Sequence, residues 1–285
     1  MTVEVFAPAK VNLYLHVTGR RPDGFHLLDS LVVFAGIGDT LSFQPARGLG
    51  LEIVGPGAGP LAAESDNIVL KAARALAEAL GRPADAAIRL EKRLPVAAGI
   101  GGGSADAAAT LQGLQRLWGV SLEASELQRI GLSLGADLPV CIAGRPTQMA
   151  GIGEILEPAV ALPPAWLVLV NPRIGLSTPS VFKARQGEFT PAAPLTAPPA
   201  AARDLAAEMH RRRNDLAAPA MTLEPAIGRM LGEIGGTADC LLARMSGSGA
   251  TCFGLYADQA AAEAAAASLV RQQPGWWVAA GPILS

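Results

Sequence analysis

LPVAAGIGGGSADAAAT, residues 94–110, sets a glycine-rich turn directly against the start of an apolar-periodic helix. Glycines at 99, 101, 102 and 103 admit backbone conformations closed to other residues, so consecutive N–H groups can converge on one phosphate with nothing blocking its approach. Ser104 and Asp106 open the helix, and Ala107, Ala108, Leu111, Leu114 and Trp118 recur at helical spacing. This helix is expected to bury one face and to point its positive end at the loop, where a phosphate gains from both the dipole and the free N–H groups. Two common phosphate loops are excluded. No Lys follows the glycines as in a Walker A loop, and Ser104 stands where a dinucleotide fingerprint has its third Gly. Taken alone, the stretch also fits a purely structural glycine turn, so other segments decide.

At 285 residues and 50% hydrophobic content the chain can build one large or two ordinary cores. A formal charge of −2 and a pI near 6.0 argue against a nucleic-acid binder, which carries a basic excess. The one dense basic run, Arg211, Arg212 and Arg213, reads as a solvated helix face, with substrate attraction as the alternative. Cys141, Cys240 and Cys252 lie far apart among apolar neighbours, which predicts burial rather than disulfides or metal ligation and fits a reducing cytosol. The opening MTVEVFAPAK lacks a secretory pattern and reads as strand, and no apolar stretch is long enough to span a bilayer. A soluble cytoplasmic protein is expected.

Val11, Leu13, Leu15 and Val17 alternate with Asn12, Tyr14 and His16, predicting a strand that turns Lys10 and Asn12 the same way. GRRPDGFH then forms a turn before a second apolar strand, followed by short strands at 40–43 and 51–54. Ser65, Asp66 and Asn67 start a helix carrying Ile68, Val69, Ala72, Leu76 and Leu80, closed by Gly81. A strand at 87–90 leads through Glu91, Lys92 and Arg93 into the glycine loop. Helices follow at about 104–118 and 123–134, then a short strand at 149–156 and a hinge at 161–164. Strand structure reopens at 166–170. Residues 190–199, TPAAPLTAPP, are expected to be an extended surface loop. Helices at roughly 204–218, 224–235 and 258–271 enclose one hairpin, MSGSGATCFGLY. The order of elements argues for an α+β fold with mixed or antiparallel sheets rather than a doubly wound one.

Lys10 on a strand face, the cradle from Gly99 to Ser104 and the carboxylate of Asp137 are the parts that phosphoryl transfer needs. Its transition state spreads negative charge over the migrating group, which N–H donors, a lysine and a metal ion stabilise, while a carboxylate takes the acceptor's proton. Each also has a plainer reading: Lys10 as an ordinary strand lysine, Asp137 as a turn residue beside Pro139.

PAKVNLYLHVTGRRPDGFH at 8–26, LPVAAGIGGGSADAAA at 94–109, GADLPV at 135–140 and MSGSGATCFG at 245–254 together resemble the GHMP-type kinases. Within them, the GRRPDGFH extension is similar to the branch that phosphorylates the C2 hydroxyl of 4-diphosphocytidyl-2-C-methyl-D-erythritol with ATP in the non-mevalonate isoprenoid route. The resemblance implies a two-domain α+β fold with mixed or antiparallel sheets flanked by helices. It also implies an ATP-binding domain at 1–160, a substrate-binding domain at 161–285 and an active-site cleft between them. It further implies Lys10 and Asp137 as the catalytic pair, with Asp137 as base. Pro95, Val96, Ala97, Ala98, Gly99, Ile100, Gly101, Gly102, Gly103, Ser104 and Ala105 match the triphosphate loop, and Asn67 and Lys92 match positions near the adenine. Asn12, Phe25, His26, Thr178, Ser246 and Gly247 match substrate-binding positions. Phe25 replaces a common Tyr, keeping base stacking without the phenol, and Ala105 replaces a second Ser. ATP and Mg²⁺ are the implied cofactors, with the metal's protein ligands unassigned, and a monomer or weak homodimer is expected without nucleic-acid or membrane partners. Rival readings are another GHMP-type kinase or decarboxylase acting on a mevalonate derivative or sugar, a non-catalytic nucleotide-binding protein, and an interaction module whose glycine loops are turns.

Overall fold

Strand β1 (Val3–Asn12) opens the chain in the computed structural model, which describes residues 2–61 and 67–285. The strand expected to run on through Val17 breaks at Leu13 and Tyr14, and β2 (His16–Arg20) resumes after it. The break has a partner: Leu15 N–H donates to the Arg213 carbonyl at 3.0 Å and the Leu15 carbonyl accepts from Asp215 N–H at 2.8 Å, drawing this backbone away from the sheet. The polar residues of the alternation do not face water. Asn12 donates to Ser30 Oγ (2.8 Å) and Tyr14 to Asp29 (2.9 Å), so both alternating faces are buried and the polar one is satisfied internally.

The second apolar strand and the short one expected at 40–43 are a single 19-residue strand, β3 (His26–Gln44). Then follow β4 (Leu49–Val54), α1 (Ile68–Ala79), β5 (Ala86–Glu91), α2 (Gly102–Trp118) and α3 (Ala124–Leu134), all near their expected places. Asn67 caps α1 by accepting from Val69 N–H at 2.9 Å; Ser65 and Asp66, also read as helix start, lie outside the described residues. A short helix, α4 (Leu138–Ala143), begins at Asp137 where only a turn was foreseen. The strand expected at 149–156 is a hairpin of β6 (Thr147–Gly151) and β7 (Ile155–Pro158), bent at Gly151 and Gly153, both at positive φ.

After β8 (Trp166–Asn171) comes a helix the sequence did not announce, α5 (Thr178–Ala184). The helix expected at 204–218 is two, α6 (Ala202–His210) and α7 (Ala217–Leu223), because Asn214 turns its side chain onto the backbone of Leu216, Met245 and Gly247. The basic run therefore lies off the helix and is engaged. Arg211 pairs with Glu208, Arg213 with Asp215, and Arg212 donates to the carbonyls of Ala193 and Pro194. Residues 190–199 lack regular structure, as expected, yet they are strapped down rather than loose: Asp29 accepts from Ala193 N–H and His16 bonds the Pro191 carbonyl. The chain ends with α8 (Ala226–Gly235), β9 (Leu242–Met245), β10 (Cys252–Tyr256), α9 (Gln259–Gln272) and the unforeseen β11 (Trp277–Leu284).

Two compact units emerge. One comprises Met1–Ala9, Gly38–Val96 and Gly101–Gly144; the other comprises Lys10–Ile37, Ala97–Ile100 and Arg145–Ser285. Residue 160, the boundary read from the sequence, lies inside the second unit, because β1 and β3 each contribute residues to both. In the first unit β5 pairs parallel with β4 and antiparallel with the end of β3; α1 lies against β4 and α2, and α3 and α4 pack onto these helices and one another. Phe43 packs so tightly on α2 at Gly113 that a Cβ there would come within 2.1 Å of its ring. In the second, β9, β10, β8 and β11 form an antiparallel run around Val168, Val170, Ile227, Met230 and Cys252. The sheets are thus mixed, and the fold is α+β. None of the three cysteines forms a disulfide; Cys141 and Cys252 are buried and Cys240 is half-buried. Among the described residues no helix is long and apolar enough to cross a membrane.

Candidate active site

The glycine loop has the backbone of an anion nest. Ala97, Gly99 and Gly101 take φ of +54°, +72° and +63°, with Ala98 and Ile100 at negative φ between them. Such alternation turns successive N–H groups toward one concave side. At its end Gly101 N-caps α2 without any side-chain cap, so the first N–H groups of a 17-residue helix remain for an incoming anion. Gly99 is obligatory: a Cβ would lie 2.1 Å from the Gly249 carbonyl oxygen. Ser104 and Ala105 follow within the first turn of α2.

The two carbonyls inside the nest are both held. Lys10 N–H donates to the Ile100 carbonyl (2.9 Å), and the Ala98 carbonyl accepts from both the hydroxyl (2.6 Å) and the N–H (3.2 Å) of Thr251. Asn171 donates to that hydroxyl at 2.9 Å. The third glycine segment is ordered from its other side by Asn214, which donates to the carbonyls of Met245 and Gly247. Ser246 Oγ accepts from Asn12 N–H at 3.1 Å, and Ser248 shares a 2.7 Å hydrogen bond with Thr178. Asn12 Oδ1 is buried without a hydrogen-bond partner and lies 3.4 Å from where a Cβ on Gly247 would stand. Asn12, Ser246, Gly247 and Thr178 therefore gather in one neighbourhood.

GRRPDGFH is the β2–β3 turn. Arg21 N–H donates to the Phe25 carbonyl, Gly24 takes φ +94°, and the Phe25 ring stands 60% exposed. His26 stacks on Phe182 of α5 with centroids 4.9 Å apart. Burial, then the cations Arg20 and Arg185, lower the His26 pKa, which favours the neutral ring with one donor and one acceptor edge.

Lys92 is committed to partners within the protein. Only 2% exposed, its ammonium is bonded to Asp39 (2.5 Å) and Asp106 (2.6 Å) rather than presented to a ligand. Asp39 also accepts from the N–H groups of Arg93 and Leu94, so this cluster anchors the entry to the loop and the first turns of α2. Burial pushes the Asp106 carboxyl up to about 7 against the opposing pull of Lys92, while for Lys92 the two carboxylates outweigh burial and raise the ammonium's pKa. Asn67 is likewise committed as the cap of α1. Asp137 occupies the N-cap position of α4, but its side chain makes no capping bond, and Lys10 is buried at the end of β1. Among the described residues no cluster of three His, Cys, Asp or Glu is arranged to hold a metal.

Sequence reasoning missed Asn171, Thr251, Asn214 and Arg244. Arg244 is half-buried, and desolvation lowers its pKa to about 10; it donates to the carbonyls of Leu13, Met209 and Arg212. The available signal was a polar residue beside each glycine segment: Arg244 before SGSG and Thr251 after it.

The pattern describing the GHMP kinases N terminal domain matches residues 67–145, and that of the GHMP kinases C terminal domain matches 198–274. A protein of Paramagnetospirillum magneticum named 4-diphosphocytidyl-2-C-methyl-D-erythritol kinase is 65% identical over 279 residues, covering 98% of both chains. The chain belongs to the GHMP kinases, in the 4-diphosphocytidyl-2-C-methyl-D-erythritol kinase family. A relative of this GHMP kinase in Rhodospirillum rubrum, with the same name, is 57% identical over 98% of this chain and 91% of its own. The crystal structure of a 4-(cytidine 5'-diphospho)-2C-methyl-D-erythritol kinase superposes with a TM-score of 0.83 at 35% identity, covering 99% of each chain. Homoserine kinase from Cytophaga hutchinsonii shares the fold, with a TM-score of 0.70 at 16% identity over 99% of this chain and 95% of its own. As a GHMP kinase, the protein is an ATP-dependent enzyme that transfers phosphate to a hydroxyl.

Proposed function

We propose that this kinase transfers the γ-phosphate of ATP to the C2 hydroxyl of 4-diphosphocytidyl-2-C-methyl-D-erythritol, a step of isoprenoid precursor synthesis. The observation that carries the substrate choice is the exposed Phe25 ring beside the stacked His26–Phe182 pair, an aromatic surface with a neutral imidazole edge suited to a pyrimidine base. A sugar or mevalonate derivative has no aromatic ring to stack on it.

In this reading the nest at 97–101 and the start of α2 take the ATP phosphates, with residues 95–105 as the loop. The 1–160 half supplies these segments, while 161–285 lends Thr178, Ser246 and Gly247 to the acceptor, alongside Asn12, Phe25 and His26. Asn67 and Lys92 support the nucleotide site through the backbone they hold. Lys10 and Asp137 converge on the acceptor hydroxyl: Asp137 takes its proton, the oxygen bonds the γ-phosphorus, and the bridging bond breaks with its electron pair leaving on ADP. Lys10 holds the Asp137 carboxylate and the developing charge. Mg²⁺ fits a site of this composition through phosphate oxygens and water with Ser104 as the adjacent side-chain oxygen, and it would neutralise phosphate charge. The enzyme acts in the cytoplasm as a monomer or weak homodimer.

The test is an assay with Mg-ATP and the cytidine-linked erythritol, comparing wild type with Asp137→Asn. The variant is expected to lose about a hundredfold or more in turnover, the range of a general base, while binding ATP like wild type. Wild-type turnover of mevalonate or a sugar in place of the cytidine compound would refute the substrate.

A further inference from the structure

Planarity links the carbonyl of one residue to the N–H of the next: in a trans peptide they point in opposite directions. Wherever a loop carbonyl is fastened on one side, the following N–H is aimed at the other. In the nest this applies twice. The Ile100 carbonyl is fastened by the backbone of Lys10, aiming Gly101 N–H, and the Ala98 carbonyl is fastened by Thr251, aiming Gly99 N–H. The first fastening is backbone only; the second is shared between the N–H of Thr251 and its side-chain hydroxyl, the shorter of the two bonds.

That side chain is itself oriented. Thr251 is fully buried and Asn171 is 1% exposed, so neither touches solvent. Asn171 Nδ2 donates to Thr251 Oγ1, which leaves the hydroxyl proton for the Ala98 carbonyl, and Asn171 Oδ1 is fixed in turn by Arg173 N–H at 2.7 Å. The 98–99 peptide joins Ala98 to Gly99, which is at positive φ and has no Cβ, so the plane has few local barriers to rotation on its glycine side. Ser246 N–H donates to the Thr251 carbonyl at 2.9 Å, which ties the same residue into the third glycine segment.

We propose that Thr251, oriented by Asn171, is a positioning residue for phosphate binding: its hydroxyl holds the 98–99 peptide so that Gly99 N–H faces the nucleotide phosphates. The inference rests on residues 95–105 being the ATP phosphate loop. Thr251 touches no substrate; it acts through the backbone of Ala98 and Gly99.

Three variants test it, with ATP binding measured by calorimetry, KM for each substrate and kcat measured with Mg-ATP and the cytidine-linked erythritol, and folding followed by urea denaturation. Thr251→Val keeps the backbone N–H bond to Ala98 but loses the hydroxyl, and is expected to raise Kd and KM for ATP about tenfold with the KM for the erythritol compound within about twofold. Thr251→Ser restores the hydroxyl and returns ATP affinity to within about twofold of wild type. Asn171→Ala leaves the hydroxyl but frees its direction, and raises KM for ATP by a smaller factor, about threefold; it carries the test if the valine variant does not fold. Wild-type ATP affinity in both Thr251→Val and Asn171→Ala, or an equal rise in both KM values accompanied by a lower urea midpoint, overturns the inference. If wild type binds ATP but ignores the erythritol compound, the proposed substrate fails while the binding measurements still judge Thr251. A wild type that binds no nucleotide overturns both.

Discussion

Lys92 Nζ lies 2.5 Å from Asp39 Oδ2 in a pair with almost no solvent exposure, and Asp39 uses its other oxygen to accept the N–H groups of Arg93 and Leu94. The second carboxylate on Lys92, that of Asp106, carries no such extra duty, and its Oδ1 is buried without a partner. The two acids should therefore respond differently. Asp39→Asn is expected to cost about 3–5 kcal/mol, because it leaves the buried Lys92 ammonium with only Asp106, whose raised pKa of about 7 makes it the weaker counter-charge. Asp106→Asn leaves one ammonium with one carboxylate and should cost under about 1 kcal/mol. Since burial raises the Asp106 pKa, the native state holds that proton more firmly than the unfolded chain, and stability is lost as pH rises from near 4 to about 7. Asp106→Asn should then compare best with wild type at pH 8. Urea midpoints at pH 5 and 8 check both statements.

Two glycines of the same loop make a second contrast. Gly99→Ala puts a methyl into the Gly249 carbonyl at φ +72°, and the backbone strain alone is worth about 1–3 kcal/mol. Gly103→Ala, inside α2 with its Cβ at an ordinary 3.6 Å from Ile68 Cγ2, should stabilise the protein by about 0.5–1 kcal/mol. Thermal melts of the two variants would expose an error if their order were reversed.

Phe25 offers a separation of binding from folding. An exposed ring contributes little to the fold, so Phe25→Ala should change stability by less than about 0.5 kcal/mol. Loss of base stacking, worth about 1–3 kcal/mol, should raise KM for the cytidine substrate about tenfold or more while KM for ATP stays put. Steady-state kinetics with each substrate varied in turn measure this.

His16 predicts an acid limit. Its Nδ1 bonds the Pro191 carbonyl and its Nε2 accepts from Arg213 N–H, an arrangement open only to the neutral ring. Burial lowers its pKa, against the raising influence of the Pro191 bond, Asp215 and Asp29, with Arg213 adding to the lowering. The unfolded chain then takes up the proton first, so stability is complete above about 6.5 and falls as pH drops through the depressed native value. His16→Asn should show a shallower loss than wild type between pH 7 and 5 in urea titrations.

Patterns of local origin were legible in the sequence. The helical spacing in α1, α2 and α3, the Asn67 cap and the turn at Gly24 each depend on neighbours a few residues away. What escaped depends on distant partners. The continuity of β3 was hidden by Gly36 and Gly38, which read as turn residues but serve close approach: a Cβ at Gly36 would meet Pro282 at 2.8 Å, and one at Gly38 the Ala7 carbonyl at 2.3 Å. Strand β11 carries Gly281 and Pro282 in its interior and was invisible as a strand for that reason. Helix α5 buries a single residue, Val181, too little for a periodic signal. In the site, the glycine segments announced themselves, whereas Asn171 and Thr251 are ordinary polar residues until a fold places them 2.9 Å apart. Lys92 illustrates the reverse case, since nothing in EKRLP reveals that two acids, 53 and 14 positions away, consume its charge.

Because the backbone passes from one unit to the other at 9/10, 37/38, 96/97, 100/101 and 144/145, neither unit is a continuous piece of gene. No single cut in the open reading frame therefore separates two whole units: one at 144/145 keeps the first intact but strips the second of residues 10–37 and 97–100. Split-protein complementation, fragment crystallisation and the grafting of one half onto a homologue all require both pieces to be present while the chain first acquires its structure, and a surviving activity would come from reassembly rather than from an autonomous half.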